Sequence, residues 1–87
     1  MGSALESITL AKSLILYSTG GCHLCERAEA LLRSMPELRD VPVDVIDIAD
    51  DAALLERYGR SIPVVATASG DTIAWPFNAD DVLDLVR

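Results

Sequence analysis

The stretch LILYSTGGCHLC, residues 14–25, decides the fold of this chain of 87 residues. Its first four residues are large and apolar, which is typical of a buried strand. Ser, Thr and two Gly residues follow and predict a loop. The stretch ends on Cys22 and Cys25, where a helical pattern begins. It therefore predicts a strand, a tight loop and a helix in succession, with a Cys-x-x-Cys pair at the helix start.

The helix after this loop is predicted from the spacing of its apolar residues. Five of them recur at intervals that place them on one helical face, and they are Leu24, Ala28, Leu31, Leu32 and Met35. Pro36 ends the helix, because proline cannot continue a helical hydrogen-bond ladder. The opposite face is charged, and Glu29 and Arg33 are spaced to form an i,i+4 pair on it.

The middle of the chain predicts a second strand and a second helix. Residues 43–48 are mostly apolar and β-branched, which favours a strand. Asp50 or Asp51 can cap a short helix after it. Gly59 is a natural end for this helix. The first half of the chain therefore predicts a strand, helix and strand unit, in which the two strands are parallel.

The last part of the chain predicts a hairpin and a covering helix. Residues 62–66 form a third strand, Ser69-Gly70-Asp71 turn the chain, and residues 72–75 return as its partner. Asn78 caps a final helix. The order β-α-β-α-β-β-α predicts an α/β fold with a four-stranded mixed sheet flanked by helices. We expect one domain at residues 13–87, after an N-terminal extension at residues 1–12 whose first three residues resemble a cloning remnant.

Composition and net charge exclude some classes of binding partner. The formal net charge is −7, with 14 acidic and 7 basic residues, and the basic residues form no cluster. Such a surface repels phosphate backbones, so we expect no nucleic-acid partner. No apolar run approaches the roughly 18 residues that span a bilayer, and no secretory signal is evident, so we expect no membrane partner and a cytoplasmic location. The short acidic chain is expected to be a monomer.

Cys22 and Cys25 carry the chemistry that the sequence predicts. A thiolate is the reactive form of cysteine, and the start of a helix stabilises it through unpaired backbone amides and the helix dipole. Two intervening residues bring the second sulfur within reach for a disulfide. We therefore expect Cys22 to be exposed and to attack, and Cys25 to be buried and to resolve the mixed disulfide.

Other interpretations of these residues stay open. Both cysteines could be inert core residues. A zinc site usually needs four ligands, so a metal or cluster on this pair would need a second chain or external thiols, and we expect no metal site within the chain. His23 is either a solvent-exposed residue or a cation that favours the Cys22 thiolate. Arg27 adds at most a weak, screened attraction.

Two segments resemble the glutaredoxin branch of the thioredoxin superfamily, and in particular short bacterial glutaredoxin-like proteins. They are LYSTGGCHLC at residues 16–25 and YGRSIP at residues 58–63. The resemblance covers residues 13–87 and implies a thioredoxin-like fold and a thiol–disulfide oxidoreductase. It also implies that the Ile62–Pro63 bond is cis, and that the backbone of Ile62 bonds to the peptide or glutathione part of a mixed disulfide.

The departures from this family concern glutathione. His23 and Leu24 stand where Pro and Tyr are usual, and Thr19 stands near the place of an upstream Lys. Residues 75–81 replace a Gly-Gly-x-Asp stretch that holds glutathione. We therefore expect no tightly bound cofactor, and a protein or small-molecule disulfide as substrate. Glutathione stays open as a co-substrate that is used more weakly than by a typical glutaredoxin.

Two further positions have alternative roles in substrate binding. Trp75, together with Phe77, either packs the hairpin against the last helix or lines a groove for an apolar protein substrate. Arg60 is either a solvated charge or a clamp for a substrate carboxylate. The candidate substrate-binding residues are therefore Ile62, Pro63, Arg60, His23 and Trp75.

Overall fold

The computed structural model describes residues 13–87, so the predicted extension at residues 1–12 lies outside the described part of the chain. Four strands and three α-helices follow in the predicted order, with a short 3-10 helix after the first α-helix. Their bounds are β1 Leu14–Ser18, α1 His23–Ser34, the 3-10 helix Pro36–Leu38, β2 Val43–Asp47, α2 Ala52–Tyr58, β3 Val64–Thr67, β4 Thr72–Ala74 and α3 Ala79–Val86. No helix within residues 13–87 has the length and apolar character to cross a membrane.

The strands form one mixed sheet in the order β2-β1-β3-β4. β1 pairs in parallel with β2, with Leu14 opposite Val43. β1 also pairs antiparallel with β3, with Tyr17 opposite Val64, and β4 returns antiparallel on β3. The β1–α1–β2 unit and the β3–β4 hairpin followed by α3 confirm the predicted four-stranded mixed sheet flanked by helices, arranged as a thioredoxin-like fold.

The hydrophobic core joins the sheet to α1 and α3. Each buried aliphatic side chain contributes about 1.5–3 kcal/mol relative to its exposed state. The buried members of this core are Leu14, Leu16, Ala28, Leu32, Met35, Leu38, Val65, Phe77, Val82 and Val86. Because Ala28 and Leu32 pack in this core and Cys25 near the helix start is also buried, the N-terminus of α1 is held against the sheet.

The buried face of α1 is rotated from the predicted one. Cys25 is 3% exposed, and Ala28 and Leu32 are also buried, whereas Leu24 is 40% exposed. Neighbouring residues on a helix point about 100° apart, because one turn takes 3.6 residues. A buried stripe that includes Cys25 therefore turns Leu24 toward solvent, and the prediction of Leu24 on the core face is wrong.

The start and end signals of α2 act as predicted. Asp51 caps it, and its Oδ1 accepts a hydrogen bond from the backbone N–H of Leu54 at 3.0 Å. Gly59 ends it, although in a right-handed conformation with φ −55°. A side chain at this position would meet the backbone carbonyl oxygen of Leu55, which explains the glycine.

The hairpin strands β3 and β4 lose predicted residues at the ends that lie next to prolines. β3 begins at Val64 instead of Ile62, and β4 ends at Ala74 instead of Trp75. Pro63 follows Ile62 and Pro76 follows Trp75, and proline has no N–H to donate to a strand ladder. Both segments are therefore loops at the end of the sheet and not strand ends.

Candidate active site

Three segments that the sequence singled out meet at one end of the sheet. β1 runs toward this end and leads into the loop that carries the cysteine pair. β3 begins there because it is antiparallel to β1, and β4 ends there because it is antiparallel to β3. The register therefore gathers the cysteine loop, Pro63 just before β3 and Trp75 just after β4.

Cys22 is the N-cap residue of α1. Its backbone is extended, with φ −90° and ψ 107°, and its Sγ accepts a hydrogen bond from the backbone N–H of Cys25 at 3.1 Å. Gly21 leads the chain into this position with φ 74°, a left-handed conformation that glycine adopts readily. The first amides of a helix have no intrahelical partners, and the helix dipole favours negative charge beside them. The Cys22 sulfur therefore lies where a thiolate is stabilised.

Cys22 and Cys25 form a disulfide, and their α-carbons are 5.2 Å apart. Cys25 is 3% exposed and Cys22 is partly exposed. An external thiol or disulfide therefore reaches Cys22 first, whereas Cys25 faces the protein interior. This difference in exposure is consistent with an attacking Cys22 and a resolving Cys25.

The Ile62–Pro63 peptide bond is cis, as the resemblance to the glutaredoxin branch implied. This segment is fixed on both sides by backbone hydrogen bonds. The N–H of Ile62 donates to the carbonyl of Tyr58 at 3.1 Å, and the carbonyl of Pro63 accepts from the N–H of Trp75 at 3.0 Å. The Ile62 N–H is therefore engaged within the chain, and the binding of a substrate to the backbone of Ile62, which the resemblance implies, stays a prediction.

Trp75 connects this loop to α1. Its ring packs edge-on against Phe77, with 5.1 Å between ring centroids, and the guanidinium of Arg27 lies over it at 5.6 Å from the centroid. Phe77 is 7% exposed and Trp75 is half-buried. Phe77 is therefore core packing, whereas Trp75 keeps a surface that a substrate can reach. The Trp75–Pro76 bond is also cis, and the sequence did not predict it.

His23 and Arg60 are both exposed. His23 is the first residue of α1, and Arg60 lies in the turn after α2. Neither side chain forms a hydrogen bond or ion pair with another residue in the range 13–87. The structure therefore places both near the end of the sheet that holds the cysteines without fixing them, and their roles in substrate binding stay predictions.

Sequence reasoning missed an aromatic stack behind the Ile62–Pro63 loop. The rings of Tyr17 and Tyr58 are stacked with their centroids 4.6 Å apart. This contact fixes the end of α2 on β1, just before the loop. The alternation of β1 was an available signal, because Tyr17 must face away from Leu16 and toward the side of the sheet opposite α1.

Metal-binding side chains are not clustered within the described residues. Within residues 13–87, no group of three or more His, Cys, Asp and Glu side chains could hold a metal ion. Structural zinc sites use four ligands as a rule. A metal or cluster bound to the cysteine pair would therefore need ligands from another molecule.

Comparisons with known proteins agree with this architecture. The chain matches the family described as Glutaredoxin-like domain (DUF836) over residues 13–87. It is similar to the X-ray structure of Northeast Structural Genomics target protein XcR50 from X. campestris, with 34% identity over 82% of this chain and 91% of that chain and a TM-score of 0.66. The solution structure of the same target gives 35% identity over 82% and 87% of the two chains and a TM-score of 0.68. No curated protein matches the chain. The chain therefore belongs to the glutaredoxin-like family that DUF836 describes.

Proposed function

We propose that this protein is a thiol–disulfide oxidoreductase that works through Cys22 and Cys25. The observation that carries the proposal is the asymmetry of the pair. A partly exposed sulfur at the N-cap of α1 is bonded to a sulfur that is 3% exposed one turn further along the helix. Inert packing does not account for an accessible sulfur that accepts a helix amide. Membership of the glutaredoxin-like family supports the same chemistry.

In the reductive direction, the dithiol form of the protein reacts first through Cys22. Its thiolate attacks one sulfur of the substrate disulfide, and a new S–S bond forms between Cys22 and that sulfur. The other substrate sulfur leaves as a thiolate and takes up a proton. The amides at the start of α1 stabilise the attacking thiolate. The product of this step is a mixed disulfide on Cys22.

Cys25 completes the exchange. It loses its proton to solvent, attacks the Sγ of Cys22 and displaces the second substrate sulfur, which leaves as a thiol. The substrate has then gained two electrons and two protons, and the protein has lost them in forming the Cys22–Cys25 disulfide. Two glutathione thiols, or one dithiol of a protein reductant, return the protein to the dithiol form and become a disulfide themselves.

The substrate is proposed to lie along the Ile62–Pro63 loop. The carbonyl of Ile62 accepts one backbone N–H of the substrate, and the half-buried ring of Trp75 contacts its side chains. Glutathione as a co-substrate, a monomeric state and a cytoplasmic location stay predictions. The proposed regeneration by cellular thiols would take place in a reducing compartment such as the cytoplasm.

The test uses purified, fully reduced protein and bis(2-hydroxyethyl) disulfide, with Cys22→Ser as the matched variant. We expect the unchanged protein to consume the disulfide and to form the Cys22–Cys25 bond, and the variant to do neither. The alternative is a non-catalytic binding module that carries a metal or cluster or docks to a partner. Purified protein that contains iron or zinc and reduces no disulfide would support that alternative.

A further inference from the structure

Arg27 holds a positive charge beside the candidate active site without an acidic partner in the described chain. The ion pairs within 4.0 Å among residues 13–87 are Arg33–Glu29 and Arg87–Asp84. The guanidinium of Arg27 instead lies over the ring of Trp75 at 5.6 Å from the centroid. Although the chain has 14 acidic residues and 7 basic ones, no acidic side chain among residues 13–87 lies within 4.0 Å of this guanidinium.

Trp75 is a rigid support for this guanidinium. Its backbone N–H donates to the carbonyl of Pro63 at 3.0 Å, and its ring packs against the buried Phe77. A guanidinium over the face of an aromatic ring is attracted to the ring electrostatically and not through its N–H donors. The contact therefore limits where the Arg27 guanidinium lies and leaves its N–H groups available to a carboxylate.

The position of Arg27 along α1 sets which part of a substrate it can meet. It follows Cys22 by five residues, which is a rise of about 7.5 Å along the helix. An extended peptide covers about 3.3–3.6 Å per residue. The rise thus matches about two residues of an extended substrate, so we expect a carboxylate at that spacing to reach Arg27 when the substrate runs along α1 toward Trp75.

We propose that Arg27 selects disulfides that carry a carboxylate close to the reacting sulfur, and that Trp75 positions its guanidinium. This inference rests on the oxidoreductase function proposed above. Planar carboxylates and guanidinium groups pair through two parallel hydrogen bonds, which gives the selection its geometry. The net charge of −7 opposes anions only at long range, and at physiological ionic strength it is screened beyond about 8 Å.

The experiment compares three small disulfides that differ in charge. They are 3,3′-dithiodipropionate with two carboxylates, bis(2-hydroxyethyl) disulfide without charge, and cystamine with two ammonium groups. Each rate with the reduced protein is divided by the rate of dithiothreitol with the same disulfide, which removes the intrinsic reactivity of the sulfurs. At physiological ionic strength, where the net charge of −7 is screened, we expect the normalised rate to be about fivefold higher for the dicarboxylate than for the neutral disulfide, and lower for cystamine.

Four variants test whether Arg27 and Trp75 cause the preference for the dicarboxylate. Arg27→Gln should bring the ratio of dicarboxylate to neutral rates to about one. Arg39→Gln removes the same charge from an exposed turn at the opposite end of the sheet, and should keep the ratio of the unchanged protein. Trp75→Leu should lower the ratio, and Trp75→Phe should keep most of it, because only the second retains an aromatic face.

Oxidised glutathione and a disulfide-linked peptide with Asp beside its Cys carry the same carboxylate chemistry from two sources. Both should be reduced more slowly by Arg27→Gln than by the unchanged protein. The substrate whose rate falls more, glutathione disulfide or the peptide disulfide, is the one that Arg27 selects. Equal normalised rates for charged and neutral disulfides, or an equal loss in Arg39→Gln, would overturn the role of Arg27 and leave the oxidoreductase function standing. Failure to reduce any disulfide would overturn both.

Discussion

Two helices of this protein begin in opposite ways. α3 begins with a reciprocal pair of hydrogen bonds, in which Asn78 Oδ1 accepts from the N–H of Asp81 and Asp81 Oδ2 accepts from the N–H of Asn78, both at 2.9 Å. α1 begins with Cys22, whose Sγ accepts one N–H at 3.1 Å. A sulfur in a thiol or disulfide is a weak acceptor, so the first amides of α1 are less well satisfied than those of α3.

The start of α3 contributes to the stability of the fold, whereas the start of α1 contributes to the reactivity of Cys22. An oxygen cap at a helix start contributes about 1 kcal/mol and takes part in no reaction. A sulfur cap stabilises the helix less, and the same amides then favour the sulfur as a thiolate. We therefore expect a change at Asn78 to alter the free energy of unfolding and not disulfide exchange, and a change at Cys22 to do the reverse.

The largest effect is expected for Cys22→Ser. Removing the attacking sulfur should reduce disulfide exchange to the uncatalysed background. Serine is a good N-cap, so the free energy of unfolding of the reduced protein should change by less than about 0.5 kcal/mol. Turnover of bis(2-hydroxyethyl) disulfide, and urea unfolding in the presence of reductant, measure the two quantities. A large loss of stability in the reduced variant would show that the cap at Cys22 is structural after all.

Cys25→Ser should stop the exchange at its midpoint. Cys22 still attacks in this variant, but no second sulfur displaces the substrate, so a mixed disulfide accumulates. Mass spectrometry after exposure to oxidised glutathione should show one glutathione per chain. Cys22→Ser is the matched control and should carry none, because its remaining cysteine is buried. Adducts on Cys22→Ser and none on Cys25→Ser would reverse the roles of the two sulfurs.

The residues at the helix starts could be identified from the sequence, because a capping side chain bonds to amides that are close to it in the chain. Asp51 and Asn78 each precede a helical pattern, and their oxygens reach amides only three residues away. The glycines before Cys22 and the proline after Met35 are equally local signals. The order of the elements and the position of the cysteine pair followed from such signals together with the apolar periodicity.

The parts that the sequence could not supply depend on how distant segments are placed. Arg27 meets Trp75 because the β3–β4 hairpin ends beside α1, and no local pattern gives that register. Leu24 was misplaced although Cys25 was expected to be buried, because the apolar pattern did not include the cysteine and the packing of α1 on the sheet decides which of the two neighbours faces the core. The engaged amide of Ile62 likewise depends on the turn that follows α2.

A smaller effect is expected for Asn78→Ala. The loss of the cap oxygen should lower the free energy of unfolding by about 1 kcal/mol, which corresponds to about 4–8 °C in Tm for a domain of this size. Exchange activity per folded molecule should not change. Asn78→Asp is the matched control, because it keeps an oxygen acceptor and should keep most of the stability. Thermal unfolding with parallel activity assays tests both expectations, and a loss of activity in correctly folded Asn78→Ala would couple the two helix starts.

The smallest effect is expected for Asp81→Asn. This variant keeps an oxygen that can accept the N–H of Asn78, so the reciprocal hydrogen bonds can persist. It removes a negative charge from the first turn of α3, where the helix dipole favours one, and the expected loss is a few tenths of a kcal/mol. Because the site is exposed, added salt should reduce this loss.

Asp84→Asn separates this dipole effect from the general effect of removing a charge. Asp84 lies in the same helix near its C-terminal end, where the dipole disfavours a negative charge, and its contact with Arg87 at 3.5 Å is exposed to solvent. Exposed ion pairs contribute little, so this control should leave the unfolding free energy nearly unchanged. Equal losses in both variants, measured by urea unfolding at low and high salt, would mean that the charge itself and not its place at the helix start matters. The start of α3 would then owe its stability to the two hydrogen bonds alone, and the contrast with α1 would reduce to oxygen against sulfur as the acceptor.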